Sequence, residues 1–298
     1  MDNPEFRCGY AAIVGRPNVG KSTLLNYILG SKLSITSRRP QTTRHRMLGI
    51  KTTPEYQVIY VDTPGIHRGP SRALNRYMNR EATGALLDVE AVVFLIEALR
   101  WTAGDAEICA HLRDLSVPVL LAINKVDRAL PRQSLLPFLQ RVSQEMDFDE
   151  IVPVVARWGE NTDRLEALIV RHLPKSGPLF PADQVTDRSE RFLVSELIRE
   201  KLTRRLAQEL PYQLDVHIEQ YMEVTNLLNI SAVVWVEQES QKAIVIGHKG
   251  HVLKSVGYEA RQEIERLVNR RVFLRLWVKV KEGWSNNESV LKTLGYGQ

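Results

Sequence analysis

Cysteine is nearly absent: the 298 residues hold two, Cys8 and Cys109, and no CxxC pair. Zinc-finger spacing and a disulfide framework are therefore excluded, and both thiols are expected as small apolar core residues in a reducing compartment. Long apolar runs are missing as well. Stretches such as Ala91–Ile96 and Val117–Ile123 fall far short of the ~20 residues that a helix needs to span a bilayer. No basic, apolar, small-residue leader opens the chain, so a soluble, cytoplasmic protein is the expectation. There is no internal repeat and no low-complexity tract. With 44% apolar and 25% charged residues, the disorder signature of low hydrophobicity and high net charge is also lacking. The length suggests two domains, and there is apolar material for two cores.

What is present begins with charge. The net charge of +5 is modest, but its distribution is uneven. Residues 242–281 carry ten Lys/Arg against three Glu, whereas residues 181–241 carry six Lys/Arg against eleven Asp/Glu. A concentrated basic block beside an acidic stretch points to a polyanion-binding surface, RNA or anionic lipid, with a solvated helix face as the alternative.

Short runs rich in Val and Ile alternate with amphipathic stretches in the first part of the chain. Tyr10–Val14, Val58–Val61, Ala91–Ile96, Val117–Ile123 and Ile151–Val155 read as strands buried on both faces. The alternation predicts an α/β domain over residues 1–174, with a mostly parallel sheet and helices on both faces. Met47–Lys51 is a candidate antiparallel edge strand. Three prolines and a glycine in PKSGPLFPADQVTD mark residues 175–188 as a linker. Beyond it, Ser189 is placed to cap a helix running to about Glu209. Strands over Leu214–Met222 and Ile230–Glu237, a helix over Val252–Val268 and a strand over Val272–Val280 complete an α+β domain, 189–298.

Three motifs carry the chemistry. Gly15-Arg16-Pro17-Asn18-Val19-Gly20-Lys21-Ser22, followed by Thr23, matches the phosphate loop G-x-x-x-x-G-K-[ST] between a strand and a helix. Its glycines let backbone N–H groups face phosphate oxygens, Lys21 supplies charge for the β/γ-phosphates, and Ser22 supplies a hydroxyl for Mg2+. Asp62-Thr63-Pro64-Gly65 ends the next strand but one. Its carboxylate can hold Mg2+ and the Gly65 N–H can reach the γ-phosphate. Asn124-Lys125-Val126-Asp127 ends the Val117–Ile123 strand. Asp127 can accept the two guanine N–H groups that adenine does not offer, which selects GTP and GDP over ATP. The three motifs, in this order and each after a strand, resemble the translation-factor-related class of GTPases.

Residues 37–45 occupy the place of a nucleotide-sensing loop, where Thr43, with Thr42 as competitor, is expected to ligate Mg2+. Ala156 N–H is positioned for the guanine carbonyl. The preceding Val155 stands where such GTPases carry serine, so somewhat weaker nucleotide binding is expected. Ile66 follows Gly65 where Ras-like GTPases place a water-orienting glutamine, and slow intrinsic hydrolysis is therefore expected. Asn18 is a candidate K+ ligand beside the phosphates, or alternatively a turn former after Pro17.

Gly247-His248-Lys249-Gly250 is a GxxG tetrapeptide within the basic block, in an α-β-β-α-α-β order that resembles the type II KH fold. Such a loop clamps about four nucleotides of backbone. Lys249 and Lys254 would add charge, and Ile244, Ile246 and Val252 would line the apolar groove. With SITSRRPQTTRHR, YVDTPGIH, ELPY, VIGHKG and LWVKVKEGW, the chain resembles the Era family of bacterial GTPases over nearly its whole length. The resemblance implies binding of small-subunit ribosomal RNA near its 3′ end, assistance in maturation of the small ribosomal subunit, and peripheral contact with the inner membrane. A monomer is the expectation. The apolar, glycine-free Thr225-Asn226-Leu227-Leu228-Asn229 departs from the family pattern between the first two KH strands.

Overall fold

The computed structural model describes residues 5–37, 43–64, 73–86, 88–206, 210, 213–293 and 296. They divide into two compact units. The described residues up to Asp187 form unit 1, apart from Ser37 and Ala73–Tyr77, which group with Arg188 and the residues after it in unit 2.

Up to His172 the order is β1 (Arg7–Val14), α1 (Lys21–Leu29), β2 (Met47–Thr52), β3 (Tyr56–Asp62), α2 (Ala73–Gly84, in unit 1 from Met78), β4 (Ala91–Glu97), α3 (Ala103–Leu112), β5 (Val119–Asn124), α4 (Leu135–Val142), β6 (Glu150–Val154) and α5 (Thr162–His172). The six strands lie in the order β2-β3-β1-β4-β5-β6. All neighbours are parallel except β2, which runs antiparallel to β3 at the edge. The apolar runs dictate this arrangement. Phe94, Ile96, Leu121 and Ile123 project from one face onto Ile108, Cys109 and Leu112 of α3 and Phe138 and Val142 of α4. The alternate positions Ala11, Ile13, Val93, Leu95 and Leu120 are fully buried too, and α1 and α5 pack along the sheet. A strand with both faces covered has no room for polar alternation, hence the near-continuous apolar pattern. Both cysteines are buried and unpaired, as expected.

Residues 175–188, expected as a linker, are instead fastened to unit 1 as far as Asp187. Val185 O accepts from Ile50 N at 2.9 Å and Asp187 Oδ1 accepts from Leu48 N at 2.9 Å, so the segment runs along the outer edge of β2. The fully buried Gln57 side chain grips it as well: Oε1 accepts from Leu179 N and Phe180 N, and Nε2 donates 2.8 Å to Phe180 O. Proline and glycine correctly signal irregular backbone. The unpaired edge of β2 and a buried amide demanding partners then hold that backbone in place.

Unit 2 follows as α6 (Glu190–Arg205), β7 (Leu214–Val224), β8 (Leu227–Val236), α7 (Glu239–Ile246), α8 (His251–Val268), β9 (Arg271–Val280) and α9 (Glu288–Thr293). Ser189 caps α6 as predicted, its Oγ accepting from Phe192 N at 3.3 Å. The helix ends at Arg205, short of the expected Glu209, which lies outside the described residues. β7 and β8 are antiparallel and β8 and β9 parallel, in the order β7-β8-β9. Leu197, Ile198 and Leu202 of α6 and Val256, Ala260 and Ile264 of α8 meet Val216, Ile230, Ala232 and Val234 in one core. The departure at 225–229 resolves into a tight turn. Thr225 (φ 48°) and Asn226 (φ 65°) both take left-handed backbone, and pairing resumes directly with Val224 opposite Leu227. Trp284 is fully buried after β9, its Nε1 donating 3.2 Å to Gln213 O.

Candidate functional site

β1, β3 and β5 run parallel, so the residues that end them come to one edge of the sheet. Gly15 follows β1, Asp62 closes β3 and Asn124 closes β5. Two glycines of the first loop are sterically required. A Cβ on Gly15 (φ 151°) would lie 2.3 Å from Leu95 O, and one on Gly20 (φ 113°) would lie 2.2 Å from Asn124 Nδ2. Asn18 has φ 66° and an exposed side chain, a turn-former's geometry at the loop's outer corner.

Lys21 opens α1 and curls back over the loop, donating from Nζ to Gly15 O at 2.8 Å and Arg16 O at 3.1 Å. Burial lowers its pKa to about 8, against the opposing pull of Asp62. A desolvated ammonium held only by carbonyl oxygens is a site in want of an anion. Asp62 is fully buried, and burial raises its pKa although Ser34, Lys21 and Ser22 all favour the carboxylate. Its Oδ2 accepts from Ser34 Oγ at 2.6 Å and Ser22 Oγ at 3.3 Å, and Thr43 Oγ1 lies 3.1 Å from Ser22 Oγ. Among the described residues, Asp62 Oδ1 is buried with no hydrogen-bond partner. One orphaned carboxylate oxygen beside two hydroxyls is an all-oxygen donor set that fits Mg2+. The three metal-ligating residues expected from sequence are thus brought together.

Asn124 does more structural work than its motif suggests. Buried at the end of β5, it donates 2.7 Å to Val19 O and accepts from Lys125 N and Ala156 N. It therefore ties the phosphate loop to the segments on either side of β6. Ala156 N–H, expected to face the guanine carbonyl, is engaged with Asn124 Oδ1 at 2.9 Å. Lys125 (φ 64°) donates 2.9 Å to Asn18 O and pairs with Glu97 at 3.1 Å, while Asp127 stands exposed in the following turn. Arg16 is pinned by the buried Asp105 at 2.6 Å, and Thr63 Oγ1 donates 3.2 Å to Ile13 O. Pro17 and Pro64 keep their loop positions, Thr23 lies in the first turn of α1, and Thr42, Gly65 and Ile66 lie outside the described residues.

Sequence reasoning missed Ser34 and Asn26. Asn26 Oδ1 accepts from Leu33 N and Ser34 N, and its Nδ2 donates to Ser34 O, which presents the Ser34 hydroxyl to Asp62. No periodicity or motif marks these two, because their role arises from a loop folding back on its own helix.

In unit 2 the GxxG residues join α7 to α8. Gly247 (φ 72°) has Val252 Cγ2 2.4 Å from where its Cβ would stand, so no side chain fits. Lys249 (φ 49°) and Gly250 (φ 77°) complete the bend. His248, Lys249 and Lys254 are exposed, and Ile246 is half-buried. Of the expected groove residues, Ile244 is exposed, whereas Val252 packs against the core.

The comparisons with known proteins follow the same division. The family described as 50S ribosome-binding GTPase matches residues 10–125, and the KH domain family matches residues 209–285. GTPase Era of Marinobacter nauticus is 54% identical over 294 residues, 99% of this chain and 96% of its own. GTPase Era of Pseudomonas aeruginosa is 54% identical over 291 residues, 98% of this chain and 95% of its own. A variant of Aquifex aeolicus Era, crystallised with GDP·AlF4−, superposes with a TM-score of 0.95 at 39% identity, covering 98% of this chain and 100% of that one. An Era crystal structure with MgGDPNP and nucleotides 1506–1542 of 16S ribosomal RNA superposes with the same score, identity and coverage. A phosphate loop, a guanine motif and a GxxG loop on this two-unit frame, with identity of this extent, establish that the chain belongs to the Era family of GTPases.

Proposed function

We propose that this GTPase is a switch that binds small-subunit ribosomal RNA near its 3′ end in the GTP state, releases it after hydrolysis, and so assists maturation of the small subunit. The observation that carries the nucleotide half is the convergence of Lys21, Ser22, Thr43 and Asp62 at the carboxyl edge of the sheet. Residues 15–23 would cradle the phosphates, with Lys21 exchanging its loop carbonyls for phosphate oxygens. Ser22, Thr43 and Asp62 would hold Mg2+, which when bound neutralises charge building on the phosphate oxygens. Asp127 would read the guanine edge, with Asn124 and Lys125 fixing its loop and Ala156 beside it. Gly65 and Thr63-Pro64 would follow the γ-phosphate, and Asn18 would bind K+ beside it. Equal hydrolysis rates in K+ and Na+ would remove Asn18 from that role.

The RNA half rests on the GxxG loop, with Ile246, Gly247, His248, Lys249, Gly250 and Lys254 meeting the backbone, and on the 16S RNA bound by the Era structure at 39% identity. No helix among the described residues is long and apolar enough to cross a membrane. A monomer in the cytoplasm, with peripheral contact at the inner membrane, completes the reading. The test is binding of labelled RNA from the small-subunit 3′ end, with a GTP analogue or GDP. Tight binding with the analogue, lost in Gly247→Asp, is expected. Equal affinity in both nucleotide states would break the coupling, and no binding in either would remove the RNA half.

A further inference from the structure

The GxxG loop belongs to the helical side of unit 2, because α7 and α8 pack on one face of its sheet. The other face carries a pattern of its own. In β9, Val272 is buried and Leu274, Leu276 and Val278 pack on the core, so the alternate residues Arg271, Phe273, Arg275, Trp277 and Lys279 point outward. All five are exposed, Phe273 at 44% and Trp277 at 56%. Cations and aromatics thus alternate along one exposed strand face. The Arg275 guanidinium lies 4.9 Å from the Phe273 ring centroid, and Lys281 lies 5.5 Å from that of Trp235 on the neighbouring strand. Lys279 is paired with Glu219 at 2.8 Å, but Arg271 and Arg275 meet no carboxylate among the described residues. Their register partners on β8 are Leu227 and Ser231, and Phe273 lies beside Asn229. Trp277 lies beside Val233, which is fully buried, so part of that ring serves to cover it, whereas Phe273 and the two arginines have no such neighbour on β8. Two exposed large rings cost solubility, and beyond the contact of Arg275 with the Phe273 ring the two arginines gain no carboxylate partner among the described residues.

We infer that this sheet face is a second RNA-binding surface, separate from the GxxG loop, on which unpaired bases stack against Phe273 and Trp277 while Arg271 and Arg275 meet the flanking phosphates. The two rings are four residues apart, ~13 Å along the strand, which separates two bases with a cation between them. Ring faces accept any base and guanidinium groups neutralise phosphate, so the surface suits single-stranded RNA of loose sequence preference. The inference rests on the RNA reading of unit 2 and extends it to a longer stretch of strand than the GxxG loop can hold.

The full-length chain, loaded with GTP analogue, is titrated with two labelled RNAs from the small-subunit 3′ end. One has about six nucleotides, enough for a GxxG loop, and the other has about thirty-five. Phe273→Ser/Trp277→Ser is expected to bind the short RNA as the parent does, which shows that unit 2 is folded, and to bind the long RNA at least about tenfold more weakly. Should that variant lose the short RNA as well, Arg271→Glu/Arg275→Glu decides. It should keep the short RNA, weaken the long one, and flatten the slope of log affinity against log salt by about 1.4. Unchanged long-RNA affinity in both variants overturns the inference and leaves the face to a protein partner. A parent chain that binds neither RNA overturns the RNA reading of the GxxG loop together with it.

Discussion

Single side chains set the nucleotide site more sharply than the motifs alone suggest. Asn124 holds Val19 O, Lys125 N and Ala156 N at once, so Asn124→Ala leaves several buried polar groups unpaired. We expect a loss of about 2–3 kcal/mol in urea unfolding, and guanine-nucleotide affinity more than about tenfold weaker in fluorescent GDP titration. Val155, buried beside Ala156, offers no hydroxyl to the guanine-reading loop. Val155→Ser should tighten GDP binding by about 1 kcal/mol, roughly fivefold, and unchanged affinity would mean that valine costs this site nothing. The motifs themselves were fully legible in sequence, since a phosphate loop demands fixed residue types at fixed spacing. Ser34 and Asn26 were not, because they reach Asp62 only through a loop whose path no local pattern encodes.

At the scale of elements, strand and helix positions followed the apolar pattern, while their ends and connections followed local backbone chemistry. The β7–β8 turn is the clearest case. Thr225 is β-branched yet sits at φ 48°, a conformation that asparagine or glycine adopts with less strain. Thr225→Asn should raise the unfolding free energy of unit 2 by about 0.5–1 kcal/mol, measured by chemical denaturation. On β7, burial and then Arg191 lower the pKa of His217 below 6.5, with Glu219 opposing. As pH falls below 6.5 the unfolded chain takes up that proton first, so the stability held by neutral His217 is present above 6.5 and lost as pH drops through the folded value. Thermal unfolding of unit 2 should weaken between neutral and mildly acidic pH, and His217→Gln should flatten that decline.

For the whole molecule, the expected outcome is reciprocity: if GTP strengthens RNA binding, RNA must strengthen GTP-analogue binding by the same factor. Parallel titrations of analogue with and without RNA measure that factor, and a factor of one would exclude coupling between the two sites. The sequence by itself determined the two-unit organisation, the phosphate and guanine motifs and the GxxG bend, because each depends on residue types at short range. Only the tertiary structure decided three other matters. It fastened residues 175–187 to β2 and Gln57, because an unpaired edge and a buried amide need partners from distant chain. It turned Ala156 N–H to Asn124, because two strand ends meet there. It also sorted β9 into a core face and a basic aromatic face, because strand side depends on which helices pack above, and no local run of residues contains them.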